Sequence, residues 1–178
     1  MPLIDAATVQ GFVDVALDIT ATTTQRGRAL EDLAAYVFAL IPGISITHRN
    51  VMNVFATEEV DVAIFNEGDQ AGFHYLPTII LIECKNWSNP VSSIEISWFL
   101  NKLRSRGLDF GVLIATNGIT GDANELTAAH QLVAAALLER RRLVVMTIDE
   151  IRALANTDEL SVLVKRKLCD LAVRGTIA

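Results

Sequence analysis

Two acidic side chains and one basic side chain occur in neighbouring segments that have the pattern of β-strands. Glu83 and Lys85 end the apolar run IILIECK (79–85), and Asp61 stands in VDVAIF (60–65). Side chains alternate between the two faces of a strand, so Glu83 and Lys85 share one face. An adjacent strand could bring Asp61 beside Glu83. The spacing therefore predicts a pair of carboxylates with an ammonium group close by.

Such a pair suits a hard metal ion. Mg²⁺ prefers octahedral oxygen ligands and keeps several waters together with substrate phosphate oxygens. It would polarise a phosphoryl group, while Lys85 could orient or help deprotonate the attacking water and offset developing negative charge. The residues thus predict metal-assisted hydrolysis of a phosphodiester. The alternative is an exposed ion pair between Glu83 and Lys85, which contributes little stability.

The elements that would position these residues follow from hydrophobic periodicity and turn signals. Apolar residues spaced three and four apart predict a helix that ends at Pro42-Gly43. Further helices are predicted over residues 8–18, from Pro90 to about 106, over about 122–140 and in the last 25 or so residues. Strands are predicted over residues 44–50, 60–66, 78–86, 110–116 and 143–148. The alternation of strands and helices in the second half predicts partly parallel pairing with helical crossovers.

Length and composition predict one soluble domain. The chain has 178 residues, of which 51% are hydrophobic, enough for one sizeable core spanning residues 1–178. Its apolar runs are far shorter than the roughly 20 residues of a membrane span, and the N-terminus lacks a signal-peptide pattern. We therefore expect a cytoplasmic protein without a membrane partner.

The cysteines and histidines do not have the spacing of a metal site. Cys84 and Cys169 are isolated, which favours buried free thiols over a disulfide or zinc site. His48, His74 and His130 are widely scattered, so surface or packing roles are expected for them.

Charge and aromatic residues bear on nucleic-acid binding. A net charge of −6 counts against a protein that coats nucleic acid nonspecifically, but three basic clusters could contact phosphate: NKLRSR (101–106), ERRR (139–142) and KRK (165–167). Trp87 and Trp98 could stack on bases. The helical spacing of Trp98 with other apolar residues favours core packing, whereas Trp87 stays open between the two roles.

The order of the acidic and basic residues resembles a known nuclease superfamily. Glu31 in a helix, Asp61 in a strand and Glu83-Cys84-Lys85 in the next strand resemble the PD-(D/E)xK nucleases. More narrowly, five segments in order look like the Mrr-type restriction endonuclease domain: RGRALEDLAAYVFAL, VDVAIF, IECKNW, IEISWFLNKLRSRG and DFGVLIATNGIT. The ordered set is far more specific than the Glu-x-Lys motif alone.

This resemblance implies a fold, an activity and a set of site residues. The fold would be α/β and restriction-endonuclease-like, a central mixed β-sheet flanked by helices, with a nuclease core at about 26–150 and added N- and C-terminal helices. The activity would be a DNA endonuclease dependent on Mg²⁺ or Mn²⁺, used in defence against foreign DNA. The resemblance implies catalytic roles for Glu31, Asp61, Glu83 and Lys85, and metal ligation by Asp61, Glu83 and the Cys84 carbonyl.

Several points differ from the superfamily pattern or stay open. Val60 stands where the superfamily name has proline, and Glu95 or Ser97 could be the polar residue of the following helix. Glu31 could instead be a solvated helix residue. A catalytically inactive DNA-binding or protein-interaction module is the rival function. Possible partners are a second copy, through the helix LSVLVKRKLCDLAV (160–173), and a separate DNA-recognition protein.

Overall fold

The central feature of the fold is a mixed β-sheet. The computed structural model describes residues 2–53, 57–121 and 128–175. Within these residues the sheet has five strands in sequential order: β1 (Ile44–Met52), β2 (Glu59–Asn66), β3 (Ile79–Lys85), β4 (Phe110–Ala115) and β5 (Arg142–Thr147). The first three strands pair antiparallel, while β3, β4 and β5 pair parallel. The predicted mixed sheet and its parallel half are confirmed.

Helices cover both faces of this sheet. They are α1 (Ala6–Leu17), α2 (Thr23–Ala39), α3 (Ser93–Ser105), α4 (Ala128–Ala136), α5 (Ile148–Arg152) and α6 (Thr157–Arg174). A short 3₁₀ turn, Leu137–Glu139, follows α4. The helix predicted over residues 122–140 is therefore shorter in its described part, and residues 122–127 lie outside the described residues.

Thr22, in the threonine-rich segment TATTT (20–24), caps the N-terminus of α2. The Thr22 hydroxyl accepts a hydrogen bond from the backbone N–H of Gln25, and the Gln25 side chain accepts one from the backbone N–H of Thr22. This reciprocal capping box sets the start of the helix that carries Glu31.

The strand β3 contributes to both hydrophobic cores because its side chains alternate. Ile80 and Ile82 face the core formed with α1, α2 and α6, whereas Leu81 faces the core formed with α3 and α4. All three are almost completely buried. The sheet thus holds the end of β3, with Glu83 and Lys85, on a rigid and solvent-excluded support.

Side chains of α3 pack directly against the backbone of β4 at Gly111. A Cβ atom on Gly111 of β4 would come within 2.9 Å of side-chain carbons of both Phe99 and Leu103. The absence of a side chain at residue 111 therefore lets α3 approach the sheet, and this approach brings the adjacent Lys102 toward β3.

The C-terminal helix α6 uses its apolar residues within the chain. Leu160, Leu163 and Val164 are buried in the core, while Val162 and Val173 stay exposed. Most of the apolar stripe that predicted a dimer contact is thus covered by the protein's own sheet. Cys169 on this helix is exposed, so the prediction of a buried thiol is wrong there. No helix in the described ranges is long and apolar enough to cross a membrane.

The close approach at Gly111 predicts a stability difference between two glycine substitutions. Gly111→Ala should destabilise the fold by about 1 to 3 kcal/mol, because the new methyl group overpacks the contact with α3. Gly27→Ala is the matched control: Gly27 lies in α2 with nothing within 4 Å of a built Cβ. It should stabilise the fold by up to about 1 kcal/mol. Urea unfolding measures both, and equal effects of the two changes would contradict the close packing of α3.

Candidate active site

The sheet register brings the two predicted carboxylates together. The antiparallel ladder of β2 and β3 pairs Val62 with Ile82, and continuing it by one residue brings Asp61 to the position opposite Glu83. There the Asp61 carboxylate accepts a hydrogen bond of 2.7 Å from the backbone N–H of Cys84. The side chain of Asp61 thereby takes the place of a ladder partner and stays beside the carboxylate of Glu83.

The carboxylate of Glu83 is buried and contacts two ammonium groups. The residue is 7% exposed. Its Oε1 lies 2.8 Å from Lys85 Nζ, and its Oε2 lies 2.5 Å from Lys102 Nζ. Removing an ionised carboxylate from water is costly unless it is paired and hydrogen-bonded. The two lysines satisfy this requirement and hold the carboxylate in one orientation.

The participation of Lys102 was not predicted from the sequence. This residue lies on α3, is itself almost buried, and also donates a 2.6 Å hydrogen bond to the backbone carbonyl of Glu59. The available signal was a lysine three residues after Phe99, inside the apolar stripe of the helix. A lysine in such a stripe usually extends its ammonium to water, so spacing alone did not indicate a partner on β3.

The charges at this strand end shift the pKa values of two residues in the same direction. Burial, followed by the charge of Glu83, raises the pKa of Asp61 to about 7, although the Cys84 N–H bond and the two lysines oppose the rise. Burial alone would lower the pKa of Lys85, but the charge and hydrogen bond of Glu83 outweigh it and raise the value. Lys85 is therefore an ammonium ion at neutral pH, which makes it a hydrogen-bond donor and a cation rather than a base.

Glu31 approaches the same region from α2. Burial is the main reason that its pKa is raised, and a hydrogen bond from Asn50 and the charge of Arg49 oppose it. No residue that the structure describes donates a hydrogen bond to its buried Oε2. The thiol of Cys84 is affected by Glu31, Asp61 and Glu83, and its pKa is raised well above the ordinary value, first by burial and then by these charges. Burial and the charges of these three carboxylates thus keep the thiol of Cys84 neutral.

The carboxylates fit a divalent cation in their chemistry. Across the described ranges, no group of three or more His, Cys, Asp or Glu side chains is arranged to hold a metal ion. Asp61 and Glu83 nevertheless offer hard oxygen donors, and a carboxylate has about four lone-pair sites, so the ion pairs of Glu83 leave acceptor capacity. The raised pKa of Asp61 reflects, after burial, repulsion from Glu83, which a bound cation would offset. The oxygen of Glu31 that lacks a partner among the described residues could accept a hydrogen bond from a water on that cation.

Asn86 secures the chain immediately after the Glu83–Lys85 pair. Its side-chain N–H groups donate to the backbone carbonyls of Ala16 and Arg26, both at 2.8 Å. Its Oδ1 accepts a 3.0 Å hydrogen bond from the hydroxyl of Thr116. The end of β3 is thereby tied to α1, α2 and the segment after β4, which limits the movement of Lys85.

A cleft of about 510 Å³ opens beside Glu83 and Lys85. One wall is a single face of α3, on which Glu95, Trp98, Phe99 and Lys102 lie at helical spacing; Thr57 and Glu58 also line the cleft. Of the two candidate polar residues after the motif, Glu95 faces this cleft, where it accepts a hydrogen bond from the Ser92 hydroxyl. Ser97 lines a different depression on the other side of the helix.

Both tryptophans are exposed near this cleft. Trp98 is 66% exposed, so the prediction that it packs in the core is wrong: Phe99 and Leu103 turn inward while the indole faces the cleft. Trp87 is 41% exposed, and Lys85 Nζ lies 5.9 Å from the centroid of its ring.

Many residues of the basic clusters are paired with acids of the same chain. The ion pairs are Lys102 with Glu83, Arg106 with Glu58, Arg141 with Glu139, Arg142 with Asp109 and Lys167 with Glu150. Arg104 and Arg140 are exposed. The clusters are therefore less electropositive than their sequences suggest.

Comparison with protein families identifies the domain. The model of the family Mrr_cat, described as a restriction endonuclease, matches residues 24–147. The chain belongs to this family. The match runs from the start of α2 to the end of β5 and contains Asp61, Glu83 and Lys85. It confirms the resemblance to Mrr-type domains and the restriction-endonuclease-like fold. A comparison with curated proteins finds no match.

The raised pKa of Asp61 predicts how the stability of this Mrr-type domain depends on pH. The native state keeps the carboxyl protonated up to about pH 7, whereas the ordinary pKa is 3.8. Between these values the native state binds more protons than the unfolded state, so the free energy of unfolding should fall as pH rises. Asp61 should contribute on the order of a few kcal/mol to this fall.

Asp61→Asn tests this contribution because the amide keeps an acceptor for the Cys84 N–H and cannot ionise. Urea unfolding in chelator at about pH 5 and about pH 7.5 should show a smaller loss of stability in the variant than in the wild type. Equal losses in the two proteins would contradict the assignment.

Proposed function

We propose that the protein is a divalent-metal-dependent endonuclease that hydrolyses phosphodiester bonds in DNA. The observation that carries the proposal is the Glu83–Lys85 ion pair of 2.8 Å, placed beside Asp61 where a buried strand reaches an open cleft. Membership of a restriction endonuclease family supports DNA as the substrate and the restriction of foreign DNA as the role. In this proposal Asp61 and Glu83 hold Mg²⁺ or Mn²⁺, with the Cys84 backbone carbonyl as a further ligand.

The bound metal would supply polarisation of the phosphodiester and a water of lowered pKa. The residues of the chain then divide the remaining work. Lys85, as an ammonium ion, would donate hydrogen bonds to a phosphate oxygen and balance the negative charge that develops there. Lys102 would keep the carboxylate of Glu83 in place when Lys85 turns toward the phosphate, because it contacts the other carboxylate oxygen.

Asp61 and Glu31 would complete the acidic side of the site. Asp61 would ionise on binding the cation, since the positive charge offsets the repulsion from Glu83. The unpaired oxygen of Glu31 could accept a hydrogen bond from a water at the site. These assignments make Glu31 a supporting residue rather than a direct ligand.

The first prediction from this function concerns the metal. Millimolar Mg²⁺ or Mn²⁺ should raise the melting temperature of chelator-treated protein, because a ligand that binds only the native state stabilises it by about 2.7 kcal/mol at 100 times its Kd. Asp61→Asn should reduce this gain. Asp109→Asn is the matched control, since Asp109 precedes β4 at the opposite end of the parallel strands and pairs with Arg142. A melting temperature unaffected by metal would count against the site.

The second prediction concerns cleavage. Lys85→Ala should keep the fold and the response to metal, yet cleave plasmid DNA about 10²- to 10³-fold more slowly at saturating Mg²⁺, the loss expected when one charge-stabilising donor is removed. Lys165→Ala is a suitable control, because Lys165 is exposed, contacts the ring of Tyr75 and lines a different depression from the cleft.

Glu83→Gln separates the roles of the pair. It should lose both the metal-induced stabilisation and cleavage, because the amide is a poor metal ligand and no longer attracts Lys85. Equal cleavage by wild type and Lys85→Ala would rule out this mechanism. A wild-type protein that binds DNA without metal-dependent cleavage would instead support the inactive binding module.

A further inference from the structure

Among the described residues that line the candidate active-site cleft, the most exposed large apolar side chain is an aromatic one. Trp98 is 66% exposed, although burying the apolar surface of an indole is favourable. It lines the same cleft as Glu83 and Lys85. Trp98 has no role in the proposed metal-dependent hydrolysis. The cleft therefore has an exposed apolar surface that this chemistry does not require.

The helix places this indole close to the reacting groups. Trp98 and Lys102 are four residues apart on one face of α3, which corresponds to about 6 Å along the helix axis. Lys102 Nζ in turn lies 2.5 Å from Glu83 Oε2. A nucleotide whose phosphate lies at Glu83 and Lys85 would therefore have its sugar and base within reach of Trp98.

The charges of the cleft disfavour a second phosphate backbone. The described residues of its lining contribute the three carboxylates of Glu58, Glu83 and Glu95 and the two ammonium groups of Lys85 and Lys102. Affinity for duplex DNA depends strongly on neutralising many phosphates. This cleft neutralises few, so one strand fits its charge better than two strands.

We propose that Trp98 stacks on an unpaired nucleobase next to the scissile phosphate, so that the site acts on single-stranded or locally opened DNA. In an intact duplex both faces of each base are covered by its neighbours, and no face is open to an indole. An unpaired base offers that face, and base–aromatic stacking tolerates any sequence. The inference rests on the proposed nuclease function and adds the class of substrate to it.

The test uses tryptophan fluorescence, which reports binding without cleavage. The chain has two tryptophans, so Trp87→Phe leaves Trp98 as the only one. This protein is titrated with a single-stranded oligonucleotide and, separately, with a blunt duplex of the same sequence. Ca²⁺ replaces Mg²⁺ in both titrations, and a gel checks that the DNA stays intact. The single strand should quench the fluorescence at lower concentration than the duplex. Absence of quenching by the single strand would overturn the proposal.

Substitutions at Trp98 in the otherwise unchanged protein measure its contribution by fluorescence anisotropy of labelled DNA. Trp98→Ala should weaken single-strand binding by about 5- to 150-fold, the range of one base–aromatic stack, while Trp98→Phe should keep most of the affinity. The loss should be similar at low and moderate salt, because stacking releases no counterions. An equal loss for duplex and single strand would overturn the preference for an unpaired base.

Ile94→Ala is the matched control for nonspecific hydrophobic binding of DNA to the exposed surface of α3. Ile94 is 60% exposed one turn before Trp98 but does not line the cleft, so its change should leave single-strand binding intact. Equal losses in Trp98→Ala and Ile94→Ala would overturn the stacking role and indicate a protein-binding patch. Suppose that plasmid cleavage requires Lys85, but that the Trp98 substitutions leave the cleavage of both opened and duplex substrates unchanged. This result would refute the inference about Trp98 and leave the proposed nuclease function intact. Loss of all metal-dependent cleavage in the wild type would refute the function itself.

Discussion

The buried carboxylate of Glu83 is the constraint around which this domain is arranged. A charged group at 7% exposure needs cationic partners, and here one comes from its own strand and one from a helix that follows it. Lys102 reaches Glu83 from α3, whose neighbouring residues Phe99 and Leu103 pack against β4 at Gly111. A packing feature of the core thus decides the electrostatics of the site.

The same constraint explains why the site is poised for a cation. Asp61 sits beside Glu83 with limited access to water, and its pKa rises to about 7 from burial and from the neighbouring charge. Two lysines moderate this repulsion without removing it. The rigid sheet and the Asn86 hydrogen bonds keep the carboxylates from moving apart, so the repulsion is held in the fold and can be offset by a bound ion.

The surface features show a different relation between pattern and structure. Helical spacing predicted that Trp98 is a core residue, but spacing gives only the approximate face of a helix, and Trp98 falls at the edge that borders the cleft. The basic clusters were likewise expected to face DNA, yet four of their nine basic residues form ion pairs with acids remote in sequence. In both cases the deciding contact comes from another element.

The sequence by itself determined the order of the elements, the alternation of β3 and the motif residues Asp61, Glu83 and Lys85, because these depend on local periodicity and on side chains that a strand places two residues apart. Tertiary structure alone decided that Lys102 joins Glu83, that Glu31 has an unpaired oxygen and that Trp98 is exposed in the cleft. Those outcomes depend on how closely helices approach the sheet. That distance is set by packing between residues far apart in the chain, which local patterns do not encode.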